Sequence, residues 1–320
     1  MSMPRQPWTS ADILWYSLAN SRPDGSEAIK NLVSRLTEIN PQASASTYVD
    51  KAGNLWIDTR NNGETTMFMA HLDTVESQEG TKILYFSPDR KAVHTGGIAV
   101  LGADDGAGIG VLAAMIEANV PALYLFSQGE ETGGRGAKHA AMNEYPRLDS
   151  IQRCISFDRK GTAEICGAQW IGNLASRQFV QALSDKIGLG HVWGAGTYTD
   201  NSEFAGQIQE IVNVSVGYGN NHGPDETLDY AYWLALRDAC ISCDWESLPT
   251  IGPEVEVETW STYRPGDWEA PAADGIVEET TWDICDALGL EPGSWEADMV
   301  RSALEHMADA LAPVHEAVWR

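Results

Sequence analysis

Apolar residues recur every three to four positions in the opening of the chain: Ile13, Leu14, Tyr16 and Leu18, then Ala28, Ile29, Leu32, Val33, Leu36 and Ile39. That period puts them on one face of a helix and predicts two amphipathic helices. The pattern then shortens. Asp50 to Gly53 is a turn signal, Asn54 to Asp58 reads as the second arm of a hairpin, and Met67 to Ala70 is an apolar run suited to a buried strand that ends at His71. A further hairpin is expected over Lys82 to His94, turning at Ser87, Pro88 and Asp89. From Gly106 the small residues of GAGIGVLAAMI predict a helix able to lie close on a sheet. Strands are expected over Ala122 to Phe126, Ile151 to Phe157 and Ile211 to Val216, with helices over Leu174 to Ile187 and Tyr230 to Trp245. Strands alternating with helices predict an α/β fold: a mixed, mostly parallel central sheet with helices on both faces.

After Trp245 the pattern changes. Pro249, Pro253 and Pro265 interrupt it, and Glu254 to Glu258 alternates acid and valine. Val300, Leu304, Met307, Leu311, Val314 and Val318 then restore a helical stripe, with Pro313 inside it as a break. The expected division is a domain over 1–247 and an acidic, Trp-rich linker with a small helical C-terminal appendage over 248–320. That appendage offers a surface for a protein partner or for self-association.

Charge narrows the function classes. With 46 acidic against 21 basic residues the formal charge is -25, and no lysine follows Lys186. Nucleic-acid affinity comes from cations that displace counterions from phosphates, so a nucleic-acid partner is excluded. No apolar stretch is long enough to cross a bilayer. Met1 to Trp8 lacks a basic start followed by an apolar core, so the expected location is cytoplasmic. The five cysteines, Cys154, Cys166, Cys240, Cys243 and Cys285, are odd in number and scattered, which suits buried thiols better than a disulfide framework.

Five segments bear candidate chemistry, each with an ordinary reading when taken alone. His71 has a carboxylate two residues on at Asp73, on the same side of an extended chain and able to support the imidazole. Asp104 and Asp105, in the GADDG run of Gly102 to Gly106, could simply cap a helix. Glu130 and Glu131 follow a strand in QGEETGG and point different ways. Asp158 closes another strand, where a turn residue is common, and His222 sits in a glycine-rich loop. The glycines of the GADDGAG run miss the dinucleotide spacing, no P-loop lysine follows, and no G-x-S-x-G elbow exists. In chain order, however, His71, Asp104, Glu131, Asp158 and His222 each lie close to the end of an expected strand, 33, 27, 27 and 64 residues apart. Two imidazoles and three carboxylates, one of them bridging, suit two Zn2+ ions or other divalent metals such as Co2+ or Mn2+.

These motifs, together with Phe157 to Asp158 and the NVSVGYGNNH run ending at His222, resemble the co-catalytic dizinc exopeptidases. That clan includes leucine aminopeptidases, tripeptide aminopeptidase, carboxypeptidase G and acetylornithine deacetylase. The resemblance covers roughly residues 25 to 245. It implies that His71 and Asp158 hold one zinc, Glu131 and His222 the other, and that Asp104 bridges them. It further implies Glu130 as general base, Asp73 as the residue that orients His71, and a cis peptide between Asp104 and Asp105. Asp200, Asn201 and Glu203 fall where the clan often has polar site neighbours, but helix capping explains them as well.

Relatives acting on acylated or carboxylate-bearing substrates usually carry a lid domain between the fourth and fifth ligands. Here 64 residues separate Asp158 from His222, and the core's own helix and strands use them up. The expectation is a compact, lidless aminopeptidase acting on a small peptide or aminoacyl substrate. The alternatives are an N-acyl amino acid deacetylase, a carboxypeptidase, or a non-catalytic binding protein built on a peptidase core.

Overall fold

The computed structural model describes residues 8–39 and 46–253. The acidic linker and helical appendage expected from 248 onward therefore lie, from residue 254, outside the described residues.

Nine strands form the main sheet: β1 (Ser46–Val49), β2 (Leu55–Asp58), β3 (Thr66–His71), β4 (Leu123–Ser127), β5 (Arg153–Arg159), β6 (Glu164–Gln169), β7 (Gly172–Asn173), β8 (Val192–Ala195) and β9 (Glu210–Ser215). Their order is β7-β6-β9-β5-β3-β4-β2-β1, with β8 paired to β6. The centre, β9-β5-β3-β4, is wholly parallel, and antiparallel strands flank it on both sides. Parallel strands need covering on both faces, so they read as continuous apolar runs. All six residues of β3 and all five of β4 are accordingly buried.

Side chains alternate across the sheet and sort the core into two layers. Phe68, Ala70, Tyr124, Phe126, Ile155 and Val212 face the layer that includes residues of α1 (Ser10–Ala19), α2 (Glu27–Glu38) and α3 (Ala103–Glu117). Met67, Met69, Leu123, Leu125, Cys154 and Ile211 face the other, with Ala137 and Ala140 of α4 (Arg135–Asn143). The short α5 (Tyr145–Leu148) follows, and α6 (Arg177–Ile187) and α7 (Tyr230–Ser242) join the first layer. The fold is thus α/β with helices on both faces.

α3 is the helix the small residues predicted. A Cβ at Gly108 would sit 2.1 Å from the Phe157 carbonyl oxygen, so only glycine lets this helix approach β5 so closely. Trp233 of α7 fixes the outer side of α3, its indole Nε1 donating to the Ala107 carbonyl at 2.9 Å. The expected hairpin over Lys82 to His94 forms as the strands Tyr85–Phe86 and Ala92–His94. It continues into a second sheet with Thr227–Asp229 and Tyr218–Gly219.

The chain stays attached to this body beyond Trp245. The Leu248 carbonyl accepts from Arg153 Nη1 at 2.8 Å, and the Ile251 and Gly252 amides donate to Glu210 Oε1 at 2.9 Å. Among the described residues no helix is long and apolar enough to cross a membrane.

Candidate metal centre

The central parallel strands deliver their carboxyl ends to one edge of the sheet, the place where open α/β sheets carry ligands. His71 is the last residue of β3. Asp158 is the penultimate residue of β5, so the strand runs past it rather than stopping before it. Glu130 and Glu131 lie in the turn after β4, and His222 in the loop beyond β9. Asp104 comes from the first turn of α3, at a non-helical backbone angle, with a cis peptide to Asp105.

All five expected ligands meet there. Asp104 is the centre: its Oδ1 lies 3.0 Å from His71 Nε2 and its Oδ2 lies 3.2 Å from His222 Nε2. His71 Nε2 is also 3.7 Å from Asp158 Oδ1, and His222 Nε2 is 3.1 Å from Glu131 Oε1. The set therefore divides into His71 with Asp158 on one side of Asp104 and His222 with Glu131 on the other.

Other groups hold these side chains in place. Asp158 accepts from Thr199 Oγ1 at 2.5 Å and from the Tyr218 hydroxyl at 3.1 Å, while its amide donates to Asn213 Oδ1 at 2.9 Å. Asn221 Nδ2 donates to Asp104 Oδ2 at 2.7 Å. The buried carboxylate of Asp105 accepts from the His71 amide at 3.1 Å and the Gly108 amide at 3.0 Å, tying β3 to α3. Glu226, fully buried, accepts from the amides of Gly102 at 2.9 Å and Asp104 at 3.0 Å. Arg22 is equally buried, and its Nε donates to the Leu72 carbonyl at 2.8 Å beside the His71 strand end.

Asp73 lies against His71 through both its main chain and its carboxylate. The nearer partner of His71 Nδ1 is the Asp73 main-chain oxygen at 3.1 Å, and the carboxylate oxygen lies at 3.6 Å. The carboxylate also accepts from the amides of Gly129, Glu130 and Glu131 at 2.9, 3.1 and 3.1 Å. Asp73 therefore shapes the turn that presents Glu130 and Glu131 while staying beside His71. Gly129 takes the left-handed conformation this turn requires, with φ +79°.

Asp200 and Asn201 are buried in a short 3-10 turn, Asp200–Phe204. Asn201 is structural, linking Gln169 and the Val212 carbonyl. Asp200 lines a small void with His71, Ser127 and Asp158. Glu203 accepts from the Tyr198 hydroxyl at 3.0 Å.

So many acids around two imidazoles leave a shortage of positive charge. Burial, with the charges of Asp158, Asp200 and Glu131 added, pushes the Glu130 carboxyl up to about 9 against the opposing pull of His71. Burial and Asp104 likewise push Asp158 up to about 7. Asp104 is the exception: burial raises it, but hydrogen bonds with His222 and His71 prevail and hold it below the usual carboxylate range. His222 rises to about 9, chiefly through Asp104. Buried Glu131 Oε1 has no well-formed hydrogen bond, although His222 Nε2 is close. Ligand atoms of His71, Asp104 and Glu131 lie within 4.8 Å of one another, as do those of His71, Asp105 and Asp158. Carboxylates and imidazoles gathered this closely, short of cations and with an oxygen left over, are a donor set that fits divalent metal.

Beside these groups opens a cavity of about 220 Å³, whose walls include Asp104, Glu130 and Asp158. The four described cysteines are unpaired, and burial raises each thiol pKa, so none is an activated nucleophile.

No family model and no curated protein matches the chain. Solved structures do. Aminopeptidase PepT from Bacillus cereus is similar with a TM-score of 0.57 at 16% sequence identity, over 72% of this chain and 95% of its own. The TET1 peptidase of Pyrococcus horikoshii, which can assemble into a tetrahedron or a large octahedral shell, is similar at 0.56 and 17%, over 73% and 98%. A tripeptidase from Staphylococcus aureus gives 0.56 and 14%, over 72% and 95%. The chain has the α/β fold that these peptidases share.

Proposed function

We propose that the protein is a dizinc metallohydrolase that cleaves peptide bonds, an aminopeptidase acting on small peptides. The observation that carries this reading is the placement of Asp104, one oxygen 3.0 Å from His71 and the other 3.2 Å from His222, at the wall of an open cavity. A carboxylate so shared, with a further acid beside each imidazole, is the arrangement two neighbouring cations require. His71 and Asp158 would hold one, Glu131 and His222 the other, and Asp104 both. When bound, the cations would lower the pKa of an attacking water and polarise the scissile carbonyl.

The remaining work falls to the chain. Glu130 lines the cavity without being needed as a ligand, so its carboxylate is placed to take the water proton and deliver it to the leaving amine. Asp73 fixes the turn from which Glu130 reaches the cavity. Thr199, Tyr218 and Asn221 orient the carboxylates by donating to them, as outer partners of metal ligands do. The four unpaired thiols suit a reducing compartment such as the cytoplasm.

The test is hydrolysis of aminoacyl p-nitroanilides and free-amine peptides by purified protein. Activity is expected, to be lost with a chelator and restored by Zn2+, Co2+ or Mn2+. Activity on N-acyl amino acids alone would replace the aminopeptidase reading with a deacylase, and metal-loaded protein inert on every substrate would remove it.

A further inference from the structure

The wall of the cavity contains a local reversal of charge. The protein carries a formal charge of -25, yet Arg159 and Lys160 line the same cavity as Asp104, Glu130 and Asp158. Arg159 is paired with Glu164, its Nε and Nη2 donating at 3.0 and 2.6 Å, and Nη1 takes no part in that pairing. A Cβ built on Gly196, another lining residue, would lie 4.0 Å from Nη1, which places that nitrogen by the cavity wall. Lys160 is exposed and makes no ion pair among the described residues. Gln169 and Thr197 add neutral polar groups to this part of the lining.

The pair Arg159 and Lys160 carries one positive charge that Glu164 does not balance, on the wall of a cavity also lined by acids. Its electrostatic effect is local and favours an anion, against the field of the whole surface. An arginine edge and an exposed ammonium together match a carboxylate. We infer that Lys160 and Arg159 recognise a carboxylate on the substrate, making this site selective for short acidic or free-carboxyl peptides. The inference rests on the peptidase reading of the same cavity. The carboxylate has two sources: the side chain of an N-terminal glutamate or aspartate, or the C-terminus of a dipeptide.

The experiment compares kcat/KM for glutamyl and glutaminyl p-nitroanilide, and for leucyl-leucine and leucyl-leucinamide, with metal-loaded protein. At least one carboxylate partner should be preferred over its amide by about tenfold or more, the range of a charge-assisted hydrogen bond. Which pair shows the preference identifies the source. Lys160→Met should collapse that ratio and Lys160→Arg should keep it, a pattern a merely structural lysine would not produce. Equal rates within both pairs, or a ratio untouched by Lys160→Met, overturns the inference while leaving the peptidase intact. Absence of all turnover would count against the peptidase reading instead. Calorimetric binding then still decides the inference: isoglutamine should bind more tightly than glutamine α-amide, or leucyl-leucine more tightly than its amide, and equal affinities in both pairs overturn it.

Discussion

The two halves of the proposed metal centre are built differently. On one side His71 is 2% exposed at the end of a central strand, and Asp158 is held by Thr199, Tyr218 and Asn213. On the other, His222 is 48% exposed in a loop, with a left-handed backbone at φ 65°, and Glu131 sits in a turn. The first half belongs to the sheet and costs little to organise once the sheet has formed. The second depends on loop conformations that a non-glycine residue adopts only at some expense. Asp104 joins them, and its own position depends on Glu226 and α3. On the proposed reading, the rigid half would hold one cation tightly and the adaptable half would exchange the other more readily.

The comparison can be broken at its joint. Asp104→Ala should empty both positions and abolish hydrolysis, as read by metal content of the purified protein beside an assay. A variant that keeps two cations would show that Asp104 is no bridge. Glu130→Gln separates chemistry from binding: metal content should stay at two per chain while kcat falls by about 100-fold or more, the scale of a lost general base. Near-normal turnover would remove Glu130 from that role.

The halves can then be tested against each other. His222→Ala should lose one cation and keep the sheet-held one, whereas His71→Ala should also weaken what remains, because it removes the imidazole that stands between the buried carboxylates of Asp104 and Asp158. Equal losses from both variants would erase the distinction. Smaller still, Glu226→Gln should weaken metal affinity by about 10- to 100-fold through misplaced Gly102 and Asp104 amides, the usual range for an outer partner. Dialysis equilibria with a chelator measure that change.

The order of these effects follows what the sequence made legible. The five proposed ligands stand out because each falls near an apolar strand or the start of a glycine-rich helix, and local periodicity marks such places. The helix from Gly106 was readable for the same reason, its small residues announcing close approach to a sheet. Glu226 had no such mark. It lies in a turn, and its partners are more than a hundred residues away, so only the folded chain reveals its purpose. Buried Arg22 was hidden likewise. Asp73 was found by the period of an extended chain, but the three amides that its carboxylate also accepts from are a tertiary matter. The flanking strands β7 and β8 are short and β6 is mixed in polarity, with pairing partners to supply what their sequences lack. Helix α4 starts after a left-handed glycine, Gly134, without a side-chain cap, and so lacks the usual signal of a helix start.

The most direct measurement is calorimetric titration of the metal-free protein with Zn2+, alongside hydrolysis of an aminoacyl reporter. Two sites of unequal affinity per chain are predicted, the weaker disappearing in His222→Ala and both in Asp104→Ala, with full activity reached only when the second fills. A single site, or two sites that persist in Asp104→Ala, would contradict a centre built around that shared carboxylate.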